Sequence, residues 1–178
     1  KIYKPNHFDM VWCSPPCISY SLLQNCWVGR EKRDINGNKY LFTKEMLLEN
    51  MDLADKLVLK SLEIIEYFKP KKWYIENPQT GLLKQRPFMK DIPYVDADYC
   101  KYSNFGYRKR TRFWTNVKGL EMKLCNKDCQ NMITHKGKLI HKKCIGGHTS
   151  HQKGVGSGND RLLRYRIPSK LIKALFGI

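Results

Sequence analysis

The chain has 178 residues, 42% hydrophobic, 12% aromatic and 28% charged. That is enough for one domain with a buried core, and it excludes both a disordered tail and a stapled mini-protein. The net charge is +17, and residues 101–178 hold 18 Lys and Arg against 3 Asp and Glu, so a polyanion is the natural partner of that half.

No apolar run approaches the roughly 18 residues of a membrane span: Leu62–Phe68 is broken by Glu63 and Glu66, so no membrane is expected. Residues 1–10 hold no hydrophobic signal core and do not begin with Met, and the chain reads as cut at its front. Seven cysteines, an odd number without a signal peptide, point to a reducing compartment, cytoplasmic or, in a eukaryote or its virus, nuclear.

Phe8–Trp12 is a short apolar run that ends at Cys13-Ser-Pro-Pro-Cys17, as a buried parallel strand broken by prolines would. From Thr43 to Phe68, residues Leu47, Met51, Ala54, Val58, Ile65 and Phe68 recur near helical spacing, with Thr43 as N-cap and Pro70 as stop. Glu45, Glu49 and Asp52 near its start and Lys69, Lys71 and Lys72 past its end complement the macrodipole. Lys72–Glu76 reads as a second buried strand. Strand, helix and strand then form a right-handed crossover whose strands end on one sheet edge, where ligands of open α/β sheets bind. Cys17 and Glu76 are therefore expected to face one pocket.

After Pro93, Tyr94–Tyr102 and Asn104–Asn116 read as β-structure with a turn at Gly106. Residues 117–160 lose periodicity and concentrate Cys, His, Lys and Gly; Gly154-Val-Gly-Ser-Gly158 reads as a flexible linker. Pro168 suits the first position of a closing helix that packs through Leu171, Ile172, Leu175 and Phe176.

A strand that ends in Ser14-Pro15-Pro16-Cys17 carries a thiol where exocyclic-amine methyltransferases, with a similar proline pair, keep a base-stacking aromatic. A thiol there suits covalent attack on an electron-poor ring carbon. Four segments follow one family's order: Val11–Ser21 (VWCSPPCISYS), Ile75–Pro78 (IENP), Phe105–Trp114 (FGYRKRTRFW) and, more weakly, Tyr165–Leu171 (YRIPSKL). On these motifs the chain resembles the DNA (cytosine-5) methyltransferases, particularly compact phage-like and large-virus-like members.

The resemblance implies an α/β fold: a partial Rossmann-like, mostly parallel methyltransferase sheet with a small irregular basic insertion. It implies Cys17 as nucleophile and Glu76 as the proton source at cytosine N3, a task for a carboxyl that a dry pocket keeps protonated. Arg112 would contact the carbonyl oxygen of the flipped base and Arg110 would support the nucleophile loop. Pro16, Ser21, Asn77 and Arg108 would serve the substrate, with Asn77 holding loop and glutamate in register and Ser21 meeting a phosphate. The methyl donor would be S-adenosylmethionine, and the substrate double-stranded DNA with its target base extruded. A monomer is expected for the full-length protein.

The chain departs from the family pattern at Ile18 and Arg108, where glutamine is frequent, and it shows neither the glycine-rich cofactor loop nor the closing Gly-Asn segment. It is expected to be a fragment, inactive alone. Residues 1–116 would form the catalytic part, 117–160 a recognition insertion, and 161–178 a segment packing back. Within the insertion, Cys125-x3-Cys129 followed by Cys144-x3-His148 has zinc-like spacing, which suggests a structural zinc; a Lys/His-rich loop for nucleic acid fits the same residues. RNA cytosine-5 methylation and a catalytically dead, zinc-stabilised nucleic-acid binder remain open.

Overall fold

The computed structural model describes residues 2–145, 153–155 and 162–178. Its elements are β1 (Met10–Cys13), β2 (Arg30–Arg33), β3 (Lys39–Phe42), α1 (Lys44–Phe68), β4 (Lys72–Pro78), β5 (Tyr94–Asp98), β6 (Arg110–Thr115), β7 (Met132–His135), β8 (Lys138–His141), β9 (Lys143–Ile145), β10 (Lys153–Val155) and α2 (Ser169–Phe176). A four-stranded sheet runs in the order β1-β4-β6-β5. The mixed α/β character read from the sequence is present, and the sheet is parallel in part. β1 and β4 pair in parallel, with Cys13 opposite Ile75. Around β5 and β6, Thr115 N–H donates to Pro93 at 2.9 Å and Tyr99 N–H to Lys109 at 3.1 Å. These partners run in opposite directions along the chain, the pattern of an antiparallel pair.

Two compact units divide the chain: residues 1–94 with 112–118, and residues 95–111 with 119–178. In the first, α1 forms where the apolar spacing places it. The Thr43 hydroxyl accepts from the Met46 amide, and Lys69 closes the helix in the left-handed conformation just before Pro70. Leu47, Met51, Ala54, Val58 and Ile65 are buried as expected, while Phe68 is half-buried. With Tyr20, Ile75, Leu83, Met89 and Trp114, most of these make the core, in which a fully buried Val58 alone contributes about 1.5–3 kcal/mol.

The β2–β3 hairpin between β1 and α1 has no counterpart in the sequence reading. Its two strands show no apolar alternation, and the turn chemistry carries it: the Asp34 carboxylate accepts from the Asn36 and Asn38 amides at 2.8 Å, with Gly37 at φ +86°.

The second unit is built differently. Asn131 is buried and spans three backbone groups, accepting from Gly106 N–H at 3.1 Å and donating to the Cys100 and Ser103 carbonyls at 2.9 and 2.7 Å. Gly106 sits at φ +89°, the turn expected there. The stretch read as irregular contains an antiparallel pair, β7–β8, and a parallel pair, β9–β10. Lys153-Gly154-Val155 is thus strand rather than linker, because its backbone finds a ladder partner in β9; Gly156–Gly158 lie outside the described residues. The closing helix α2 follows Pro168 and buries Leu171 and Leu175, with Ile172 and Phe176 half-buried. Among the described residues, no helix is long and apolar enough to cross a membrane.

Candidate functional site

Because β1 and β4 run the same way in register, the residues that follow them emerge at the same sheet edge. β1 leads into Ser14-Pro15-Pro16, where the missing amides stop the ladder. Cys17 then opens a short 3-10 turn, its carbonyl accepting from Tyr20 N–H at 3.1 Å. Tyr20 is fully buried, and its hydroxyl donates to Asp55 of α1 at 2.8 Å. Burial, then the adjacent carboxylate, push that hydroxyl far above its ordinary range, so it remains a donor. Arg86 pairs with the same Asp55. From β4, the Asn77 side-chain amide donates to the Pro15 carbonyl at 2.9 Å. The loop carrying Cys17 is thereby tied at one end to the strand carrying Glu76 and at the other to α1.

Glu76 and Arg112 are each 8% exposed and Asn77 only 1%. The Arg112 guanidinium lies 3.4 Å from the centre of the Tyr94 ring and 5.9 Å from that of Trp114, a cation held by aromatic faces in a dry setting. Cys17 and Ser21 line one cavity of about 180 Å3 with Leu22, Pro78, Thr80 and Gly81. Ser21 also caps the next turn, accepting from Leu23 N–H. Pro16 is half-buried beside Cys17. Cys13, four residues back, packs against the core, and burial raises its thiol pKa, which disfavours its thiolate.

Arg108 and Arg110 belong to the second unit, where both meet Asp98. Arg110 binds its carboxylate with two nitrogens, at 3.1 and 2.7 Å, Arg108 donates at 3.1 Å, and the Cys125 amide adds a bond at 2.7 Å. Burial raises the Asp98 pKa, but the donors from Arg110, Cys125 and Arg108 outweigh it and hold the carboxyl below its usual range.

No family model matches the chain. A curated protein of Frog virus 3 (isolate Goorha), named "Probable DNA (cytosine-5)-methyltransferase", is 36% identical over 183 residues, spanning all of this chain and 78% of that relative. The chain belongs to the DNA (cytosine-5)-methyltransferase family. It is accordingly an enzyme of that type.

In this methyltransferase the cysteines of the basic half assemble differently from their spacing. Cys100, Cys125, Cys129 and His141 bring three sulfurs and a ring nitrogen within 4.8 Å of one another. Cys125 and Cys129 belong to the group as the sequence suggested. Cys144 does not, because it sits in β9, beyond the hairpin end that supplies His141; His148 lies outside the described residues. Cys100 and His141 were missed because no short spacing links them to the Cys125-x3-Cys129 pair.

Asp98 was missed too, although β5 offers Asp96 and Asp98 at the two-residue spacing of Arg108 and Arg110, a signal of cross-strand charge pairing. Gly81 escaped as well: a Cβ there would stand 3.1 Å from the Pro78 carbonyl and 3.7 Å from the Asn77 side-chain oxygen. The cavity beside Cys17 falls below the roughly 300 Å3 at which drug-sized ligand sites begin.

Proposed function

We propose that this enzyme methylates carbon 5 of a cytosine extruded from double-stranded DNA, with Cys17 as the covalent nucleophile. The observation that carries the reading is the tie between the two strand ends: the parallel register of β1 and β4, closed by the bond from Asn77 to Pro15, sets Cys17 and Glu76 at one edge. The Cys17 thiolate adds to carbon 6 while N3 takes a proton from the Glu76 carboxyl, which keeps charge from accumulating on the ring. Arg112, fixed between Tyr94 and Trp114, faces the base carbonyl oxygen as an always-charged donor. S-adenosylmethionine, when bound, supplies the methyl group taken up by carbon 5. N3 then returns its proton to the Glu76 carboxylate, and loss of the carbon-5 proton to solvent expels the Cys17 thiolate and restores the ring, so one C–H becomes one C–CH3, Glu76 is regenerated and one net proton is released. Arg110, with two nitrogens on Asp98, supports β6 rather than touching the base, and Arg108 shares that carboxylate. Pro16, Ser21 and Asn77 shape the loop around the nucleotide. The +15 net charge of residues 101–178 supplies attraction to phosphate.

The test is covalent trapping. In the full-length protein, with S-adenosylmethionine and a duplex whose target cytosine carries fluorine at carbon 5, the last deprotonation is blocked, and a denaturation-resistant adduct through Cys17 is expected by peptide mass spectrometry. Linkage through Cys13 or Cys26 would move the nucleophile. A protein that binds DNA and cofactor but forms no adduct would be the catalytically dead binder, and adduct on RNA alone would change the substrate.

A further inference from the structure

We propose that Cys100, Cys125, Cys129 and His141 form a structural zinc site that organises the second unit. The Cys129 sulfur lies 3.5 Å and the Cys125 sulfur 3.6 Å from Nε2 of His141. A tetrahedral zinc with sulfur at about 2.3 Å and nitrogen at about 2.0–2.1 Å sets its sulfur and nitrogen ligands about 3.6 Å apart. The pairs therefore stand at the spacing the ion would impose, and all four ligand atoms fall within 4.8 Å of one another.

The ligand chemistry agrees. Three thiolates and one imidazole make a closed, soft set that selects zinc over the harder, oxygen-seeking magnesium or calcium. Four protein ligands fill a tetrahedral zinc's coordination and leave no position for substrate, as in structural rather than catalytic zinc sites, and two of them, Cys100 and Cys125, are buried. Lys127, at φ +64°, turns the chain between the two loop cysteines and so brings both sulfurs to the same side as His141.

The four ligands come from separate places: the turn after β5, the loop 125–129, and the end of β8. An ion there joins segments that lie far apart in the sequence of the unit. With three thiolates it also carries a net charge of −1 into a strongly basic region. The Cys125 amide donates to Asp98 at 2.7 Å, and Asp98 holds Arg110, so the ion would also stiffen the support of the Arg-x-Arg strand.

The experiment uses the full-length protein. Purified under reducing conditions, it is expected to contain about one zinc per chain by plasma mass spectrometry. After chelation, cobalt(II) should restore a tetrahedral ligand-field spectrum with thiolate charge transfer. Cys100→Ser and His141→Ala should each weaken zinc binding at least tenfold, whereas Cys144→Ser and His148→Ala leave it unchanged. Since a ligand variant can fail to fold, His141→Cys serves as the second arm: it should retain the metal and strengthen the charge-transfer band through a fourth sulfur. A folded, metal-free wild-type protein that takes up no cobalt would overturn the proposal. So would a disulfide between any two of these cysteines, or loss of metal in Cys144→Ser equal to that in Cys100→Ser.

Discussion

The two units hold their functional residues by opposite means. In the first, a long amphipathic helix covers a parallel strand pair, and apolar burial from Val58, Met51 and Ile75 positions the loop of Cys17. In the second, buried polar hubs take over: Asp98 gathers Arg108, Arg110 and the Cys125 amide, Asn131 gathers three backbone groups, and four soft ligands converge. Apolar packing tolerates small losses by partial collapse. A buried carboxylate that serves several donors does not, because removing it leaves the buried Cys125 amide without its acceptor and the Arg110 guanidinium without its two-point partner. The contrast predicts reactivity changes without structural cost in one unit and structural collapse from single polar changes in the other.

The largest expected effect is on chemistry. Cys17→Ser in the full-length protein should lower methyl transfer on the order of 10⁴-fold or more in a tritium-transfer assay, since a neutral hydroxyl replaces a thiolate while DNA affinity stays within twofold. Wild-type turnover by this variant would break the contrast at its first half.

Next comes Asp98→Asn, expected to cost about 1–3 kcal/mol in urea unfolding, the scale for weakening hydrogen bonds to a buried charged acceptor whose arginine partners keep 42% and 26% of their side chains exposed. The Asp98 pKa is lowered in the folded state, so its contribution is present above the ordinary carboxylate value of about 3.9 and is lost as pH falls through the lower folded value. The wild type should therefore lose stability relative to Asp98→Asn as the solution is acidified, and parallel pH profiles for the two proteins would contradict the assignment. The smallest effect belongs to the helix start: Thr43→Ala should cost about 1 kcal/mol, read from the urea midpoint, because one amide at the N-terminus of α1 loses its acceptor.

What was legible in the chain was what local spacing controls. The α1 cap and its apolar stripe depend on contacts three and four residues apart, and two apolar runs ending in proline-bearing motifs announce parallel strands. The family order of Cys17, Glu76 and Arg112 was readable for the same reason, since each motif is contiguous. The β2–β3 hairpin was not, because its strands carry charge rather than alternation and only the Asp34 turn marks it. The zinc-like group was half legible: Cys125 and Cys129 lie one turn apart, but their partners depend on where the end of β5 and the β7–β8 hairpin deliver Cys100 and His141. Strand register and hairpin length make that choice over 24 intervening residues in one case and 11 in the other, as counted along the chain. A loop of that length can close on many partners at nearly equal entropic cost. Packing, rather than spacing, therefore selected His141 and passed over Cys144.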